Sequence, residues 1–172
     1  MEHIWSPWRY TYISAAGGDD GCVFCRVQRP QGDQEQSDRK SLVLYRGELN
    51  FIILNLFPYT SGHLMVVPYE HTADLAGLES DATTEMMELA KRAQKALAAE
   101  YKPDGFNIGM NLGRSAGAGV ADHLHLHVVP RWFGDANFMS VVGETRVLPE
   151  DLPATYDRLK KHFPPRSAVK TS

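Results

Sequence analysis

The segment Asp122-His123-Leu124-His125-Leu126-His127-Val128-Val129 has three histidines that alternate with apolar residues. Successive side chains of a β-strand point to opposite faces of a sheet, so this alternation predicts a strand with the histidines on one face and the apolar residues in the core. Each imidazole has two ring nitrogens that need partners when they leave water, which makes three in succession costly as simple packing. The pattern therefore indicates either metal binding or acid, base or nucleophilic chemistry.

Length and composition favour a single globular domain. The chain has 172 residues, of which 43% are hydrophobic and 23% charged, and we predict one domain over 1–172. The formal net charge of -3 provides no broad attraction to nucleic acid or to a membrane surface, so a phosphate-bearing partner must be recognised locally. The sequence has neither a signal-peptide pattern nor an apolar run of transmembrane length, which predicts a cytoplasmic protein.

The regions on either side of the histidines predict the rest of the sheet. Three short apolar runs, at 42–45, 51–55 and 63–67, are separated by turn residues and are typical of antiparallel strands. A further strand is predicted at 106–111. The edges of so small a sheet need cover, and a homodimer is one way to supply it.

Helical spacing predicts one long helix and one short helix. The long helix runs from a cap at Ser80 to about Tyr101, and its predicted core face comprises Met86, Leu89, Ala90, Ala93 and Leu97. The short helix is predicted at about 152–162. One long helix among about five strands, without regular alternation of the two, predicts an α+β domain with a mostly antiparallel sheet.

Three segments lie outside this predicted core. They are an N-terminal arm at 1–21, a polar loop at 29–40 that we expect to be exposed and flexible, and a C-terminal extension at 139–172.

The histidine pattern resembles the signature of the histidine triad (HIT) superfamily of nucleotide hydrolases and nucleotidyl transferases. Further matches are Asn55, Ser61-Gly62-His63, the loop with Ala116-Gly117, and Pro130-Arg131, and together they extend the resemblance over about 22–138. In that family the middle histidine attacks the α-phosphorus of a nucleotide, so the resemblance implies that His125 is the nucleophile. The intermediate would be a nucleotidyl-histidine, which divides one difficult displacement into two easier steps.

The same resemblance implies roles for the residues around the nucleophile. His127 would lie near the phosphate and the leaving group, and His63 would orient the triad. The asparagines Asn55 and Asn111 match positions that contact ribose or phosphate. Backbone amides of the loop around Gly117 can approach phosphate oxygens closely because glycine has no side chain.

The pair Cys22-Val23-Phe24-Cys25 could be a redox pair, half of a zinc site, or chance. Bacterial histidine triad proteins and the related galactose-1-phosphate uridylyltransferases complete a zinc site with two histidines, which correspond here to His71 and His123. The resemblance therefore implies structural zinc on Cys22, Cys25, His71 and His123. Such a site has four protein ligands and no open position, so it would hold the fold together and would not activate water.

The flanking sequences resemble one branch of the superfamily in particular. The segments 5–10 and 130–138 look like the bacterial branch that includes diadenosine tetraphosphate phosphorylases. This resemblance implies cleavage of a dinucleoside polyphosphate, with either inorganic phosphate or water accepting the nucleotidyl group. A pocket for a second phosphate would distinguish the two acceptors, and its candidate residues are Ser115, Arg131, Trp132 and Asn137.

One departure from the family affects the leaving group. Many triad hydrolases have Ser or Thr three residues before the first triad histidine, whereas this chain has Val120. Three alternatives remain: a hydrolase of nucleoside phosphoramidates or other adenylylated compounds, a non-catalytic nucleotide-binding protein, and an enzyme with all three histidines on one catalytic zinc. The last conflicts with geometry, because side chains two residues apart on a strand are about 6–7 Å apart.

Overall fold

The computed structural model describes residues 21–28, 32–135 and 150–164. In chain order, the elements of these segments are α1 Val23–Val27, α2 Gln34–Ser41, β1 Val43–Arg46, β2 Asn50–Leu54, β3 Leu64–Pro68, α3 Ser80–Tyr101, β4 Gly105–Met110, β5 Leu126–Arg131 and α4 Leu152–Lys160. A 3-10 turn at Arg114–Ala116 lies between β4 and β5. The predicted α+β class is confirmed.

The five strands form one sheet in the order β1-β2-β3-β5-β4, and every neighbouring pair is antiparallel. Strand β5 therefore lies in the interior of the sheet, between β3 and β4. In this register His127 is paired with Met65 on one side and with Gly109 on the other. The functional strand is thus fixed from both sides by main-chain hydrogen bonds.

The two faces of the sheet have different partners. On one face, α3 and α4 pack over a large apolar cluster that includes Leu126 and Val128. On the other face, a smaller cluster contains Val43, Phe51, Ile53, Met65 and Val67 and is covered by Phe24 of α1. The alternation of β5 therefore directs its apolar residues toward the helices and its histidines toward the opposite face.

Helix α3 confirms the predicted core face, because Met86, Leu89, Ala90, Ala93 and Leu97 are all buried. Its start differs by one residue from the prediction. Glu79 occupies the N-cap position without a side-chain cap bond, and Ser80 is the first helical residue. The helix ends at Tyr101, where Lys102 turns the chain with a φ of 47°.

The prediction of a loop throughout 29–40 is wrong for its second half, where Gln34–Ser41 form α2. The helix is held by polar interactions that an apolar pattern does not reveal. The Asp33 carboxylate accepts a hydrogen bond from the amide of Gln36, and buried Asp38 forms an ion pair with Arg46 of β1.

The histidine strand begins later than the alternation predicted, because pairing starts at Leu126 and leaves His123 and His125 just before β5. Continued pairing with β3 would set Leu124 against Pro68, which has no N–H to donate. The ladder is replaced by other bonds. The His123 Nε2 lies 2.9 Å from the Pro68 carbonyl, and the Leu124 amide donates to Thr72 at 2.7 Å.

The two edges of the sheet are not equally covered. Both α2 and α4 pack against β1, whereas β4 is largely exposed, with 43% of Ile108 accessible. No other strand in the described segments pairs with the outer edge of β4. None of the helices in the described segments is both long enough and apolar enough to cross a membrane.

Candidate active site and metal centre

His125 is buried, and its hydrogen bond fixes which ring nitrogen carries the proton. Its Nδ1 lies 2.9 Å from the main-chain carbonyl of His123, and a carbonyl only accepts, so Nδ1 carries the proton. Burial lowers the pKa of His125 below its usual value of 6.5, which favours the neutral ring at neutral pH. The other nitrogen, Nε2, therefore has a lone pair available for attack.

A chain of hydrogen bonds fixes the protons on the neighbouring histidines. The amide of Tyr59 donates to His63 Nδ1 at 3.1 Å, so the proton of neutral His63 is on Nε2. That nitrogen donates to His127 Nδ1 at 2.9 Å, which leaves the proton of neutral His127 on its Nε2. The result is an imidazole lone pair and an imidazole N–H on rings whose centroids are 4.8 Å apart.

Asn55 lies directly beside His63. Its Nδ2 is 3.3 Å from His63 Nδ1, and its Oδ1 accepts from the amide of Phe57 at 2.9 Å. These contacts hold the chain between β2 and β3 against the histidine chain. Asn55 therefore supports His63 in addition to its predicted substrate contact.

The loop between β4 and β5 carries three further predicted residues. Asn111 follows β4 directly, Ser115 is exposed in the 3-10 turn, and Gly117 caps that turn with a φ of 87°. A left-handed φ suits glycine, so Gly117 has a conformational reason to be there as well as a predicted role in binding. Val120 packs against the smaller apolar cluster and offers no polar group to a leaving group.

Arg131 is bound to neighbouring side chains. Its guanidinium donates twice to the Asp135 carboxylate, at 2.6 and 2.8 Å, and once to Asn107 at 2.6 Å. Trp132 is half-buried, and its amide also donates to Asp135. Asn137 and the segment 5–10 lie outside the described residues.

A cavity of about 390 Å³ opens beside His127. Its walls come from the turn after β2, from β4 and from β5. The lining residues are Tyr59, Thr60, Asn107, Ile108, Gly109, Met110, Asn111, His127, Val129, Arg131 and Asp135.

Four predicted metal ligands come together on the other side of the triad. The ligand atoms of Cys22, Cys25, His71 and His123 all lie within 4.8 Å of one another. Nδ1 of His123 is 3.3 Å from the Cys22 sulfur, and Nδ1 of His71 is 3.2 Å from the Cys25 sulfur. Because His123 Nε2 donates its proton to Pro68, Nδ1 presents a lone pair to the cluster. Two sulfurs and two imidazole nitrogens form a donor set that suits a tetrahedral metal ion.

The four-residue candidate metal cluster and His125 share one aromatic neighbour. The ring of Phe24, between the two cysteines, has its centroid 5.3 Å from that of His123 and 5.2 Å from that of His125. Phe24 is only 4% exposed. The short helix α1, which begins directly after Cys22 and contains Cys25, therefore packs against His125.

The sequence profile of the HIT domain matches residues 36–134, which is more than half of the chain. AP-4-A phosphorylase from Mycobacterium tuberculosis is 40% identical over 157 residues, a match that covers 90% of this chain and 80% of that protein. The chain belongs to the HIT domain family. The predicted resemblance is thereby confirmed.

Other members of the HIT family support the same comparison. An adenosine 5'-monophosphoramidase from Schizosaccharomyces pombe is 29% identical over 110 residues, covering 64% of this chain and 74% of that protein. The crystal structure of a Zn-bound histidine triad family protein from Mycobacterium smegmatis superposes with a TM-score of 0.64 at 31% identity. That superposition covers 84% of this chain and 94% of that chain.

Two aromatic residues of this HIT site were not predicted from the sequence. Phe24 was treated only as a spacer between cysteines, although its position inside the cysteine pair was a signal that it must pack near the metal cluster. Tyr59 had no such signal. Its ring lies against both His63 and His127, with centroid distances of 4.7 and 6.0 Å, and only the fold brings them together.

Proposed function

We propose that this HIT protein cleaves dinucleoside polyphosphates of the diadenosine tetraphosphate type through a nucleotidyl-histidine on His125. The observation that carries the proposal is the fixed tautomer of His125. Its Nδ1 proton is held by the His123 carbonyl, so the ring presents an unprotonated Nε2 beside the N–H of His127. A neutral ring carries no negative charge that a polyanionic phosphate would repel. Its Nε2 has no proton to lose before it attacks phosphorus.

In the first step, His125 Nε2 forms a bond to the α-phosphorus, and the bond from that phosphorus to the bridging oxygen breaks. The electron pair stays on the leaving oxygen, which becomes the end of ATP when the substrate is diadenosine tetraphosphate. His127 donates a hydrogen bond from Nε2 to that oxygen and keeps its proton, while His63 and the Tyr59 amide hold its ring in the required orientation. The hydrogen bond from His125 Nδ1 to the His123 carbonyl stabilises the positive charge that develops on the ring.

In the second step, an oxygen of the acceptor bonds to the same phosphorus, and the phosphorus–nitrogen bond breaks. Its electron pair returns to His125, and the proton of the acceptor goes to solvent. Inorganic phosphate as acceptor yields ADP, and water yields AMP. Similarity to AP-4-A phosphorylase supports phosphate as the acceptor.

Substrate binding falls to the residues around the triad. We assign the ribose and α-phosphate to Asn55 and Asn111, and the remaining phosphate oxygens to the loop with Ser115 and Gly117. Arg131, at the far end of β5, takes part in binding through the wall of the cavity beside His127, and we assign Trp132, the next residue, to substrate binding beside it.

The four-ligand cluster suits structural zinc, with Cys22, Cys25, His71 and His123 as its ligands. Zinc supplies a cross-link at this position, since four protein ligands leave no site for water. A Zn-bound HIT structure and the compact donor set support this assignment. Thiolate ligands require reduced cysteines, so we place the protein in the cytoplasm.

We also propose a homodimer through the outer edge of β4. This edge carries main-chain donors and acceptors and the exposed side chain of Ile108. A second copy could add its own β4 there and cover the edge.

The test is product analysis with diadenosine tetraphosphate, with and without inorganic phosphate. We expect ATP with ADP in the presence of phosphate; ATP with AMP would identify hydrolysis. A phosphoramidate is the competing substrate, and turnover of it without turnover of any dinucleoside polyphosphate would refute the assignment. The variant His125→Asn should bind nucleotide but form no covalent intermediate, whereas a protein that only binds nucleotide would lack the intermediate in the wild type as well.

A further inference from the structure

We infer that the cavity beside His127 is the binding subsite for the second nucleoside of the substrate, the one that leaves attached to the polyphosphate. The inference rests on the proposed function. Its basis is the position and the charge of the cavity, whose lining includes His127 but neither His125 nor any residue of the metal cluster.

The cavity lies where a leaving group must go. A displacement at phosphorus places the leaving oxygen on the side opposite the nucleophile, and in the proposed first step this oxygen accepts a hydrogen bond from the N–H of His127. The cavity continues from His127 along β5 through Val129 to Arg131. A chain of phosphates that passes His127 therefore delivers its terminal nucleoside into this space.

Gly109 keeps the floor of the cavity open. It is paired with His127 across the sheet, and its side-chain position would face the same side as the histidine. Its φ is not in the left-handed region, and a Cβ added there meets no atom within 4 Å. Neither backbone conformation nor crowding thus requires a glycine, whereas a larger side chain would occupy the space beside His127.

The charge of the cavity fits a nucleobase better than another phosphate. Its charged lining residues are Arg131 and Asp135, which form an ion pair and so cancel each other. The amide of Asn107 and the ring of Tyr59 complete a lining of hydrogen-bonding and apolar groups. Such a surface pairs with the edge and the face of a base, and the volume of about 390 Å³ is in the range of small-molecule sites.

Tyr59 is the residue that joins this subsite to the catalytic chain. Its ring packs on His63 and His127 and also lines the cavity. Its amide fixes the tautomer of His63, and that contact survives any change of side chain. Removing the ring therefore alters the cavity wall and leaves the main-chain bond in place.

The experiment compares two substrates that differ only in the second nucleoside: diadenosine tetraphosphate and adenosine 5'-tetraphosphate. We expect Gly109→Val and Tyr59→Ala each to lower kcat/KM for the dinucleoside about tenfold more than for the mononucleotide, the scale of one lost base contact. Gly105→Val is the matched control, because Gly105 lies on the same strand, has the same open Cβ position and does not line the cavity. It should change the ratio of the two kcat/KM values by less than about twofold.

Each outcome decides the question. An equal loss on both substrates would assign the effect to His127 itself, and an unchanged ratio in both variants would show that the second nucleoside binds elsewhere; either refutes the subsite. Wild-type protein that cleaves neither substrate would overturn the proposed function, and the subsite with it. Size-exclusion chromatography should give the same oligomeric state for Gly109→Val and for the wild type. If Gly109→Val alters both the oligomeric state and the ratio of the two kcat/KM values, and Tyr59→Ala leaves that ratio unchanged, the result also counts against the subsite.

Discussion

Replacing Phe24 by alanine should destabilise the protein by about 3 kcal/mol. A buried aromatic side chain removes about 150–250 Å² from water, worth roughly 4–6 kcal/mol at about 25 cal/mol per Å². Phe→Ala changes in cores cost about 3–5 kcal/mol in practice. Phe24 is 4% exposed but is the one buried residue of its five-residue helix, so few contacts within that helix depend on it, which favours the lower end. The Tm of a domain of this size changes by about 2–4 °C per kcal/mol, so we expect a fall in Tm of about 6–12 °C.

The measurement is urea denaturation of the metal-loaded protein, with Phe133→Ala as the matched control. Phe133 is 94% exposed, so the same substitution there should change the free energy of unfolding by less than about 0.5 kcal/mol. Phe24→Leu preserves most of the volume and should cost less than about 1.5 kcal/mol. If the free energies of unfolding of Phe24→Ala and Phe133→Ala differ by less than about 1 kcal/mol, the packing of the Phe24 ring against His123 and His125 does not stabilise the fold, and the prediction is wrong.

Three further predictions concern the metal, an acidic side chain and the histidine chain. Removing the metal with a chelator should lower Tm, and an unchanged Tm after verified removal would contradict a structural role. Glu85 is affected by burial, which raises its pKa, but hydrogen bonds from Asn50, Glu48 and Leu49 outweigh this and lower its pKa below 4.5. Its carboxylate therefore stabilises the fold above pH 4.5, so Glu85→Gln should cost about 1 kcal/mol at pH 7. The difference in free energy of unfolding between the wild type and Glu85→Gln should shrink as the pH falls through the pKa of Glu85 in the folded protein. An equal difference in denaturation curves at pH 7 and pH 3.5 would contradict this prediction. His127→Ala should slow formation of the covalent intermediate about 10²–10³-fold in single-turnover assays, the scale of one lost hydrogen-bond donor to the leaving oxygen. His63→Ala should slow it less, because His63 acts through His127, and an equal loss would mean that His63 contacts the substrate itself.

Much of the sheet could be predicted because alternation and turn residues are local signals. Runs of apolar residues predicted β2 and β3 closely, and helical spacing predicted the buried face of α3. Polar helix α2 was missed, since Asp38 and Arg46 stabilise it through an ion pair that no periodicity contains. The start of β5 was misplaced because Pro68, a residue on another strand, ends the pairing.

The residues of the candidate site could be predicted where they belong to a sequence motif. The four candidate metal ligands, a cysteine pair and two separate histidines, were all identified from the sequence, and the structure brings them together. The tautomers were not predictable, because they depend on carbonyl and amide groups of His123 and Tyr59 whose positions only the fold defines. The cavity beside His127 was likewise hidden, since its walls come from the turn after β2 and from β4 and β5.

The interior place of β5 determines when this protein can first become active during its synthesis. Both neighbours of β5, β3 and β4, precede it in the chain, and the candidate metal ligands Cys22 and His123 are 101 positions apart. A ribosome-bound chain that ends before Arg131 therefore leaves the facing edges of β3 and β4 unpaired and does not hold His125 and His127 in position. Loops of this length close slowly, so insertion of β5 should be a late event in folding. In chains interrupted at that stage, the unpaired edges of β3 and β4 can pair with strands of other chains. Rapid addition of β5 therefore protects the protein from aggregation.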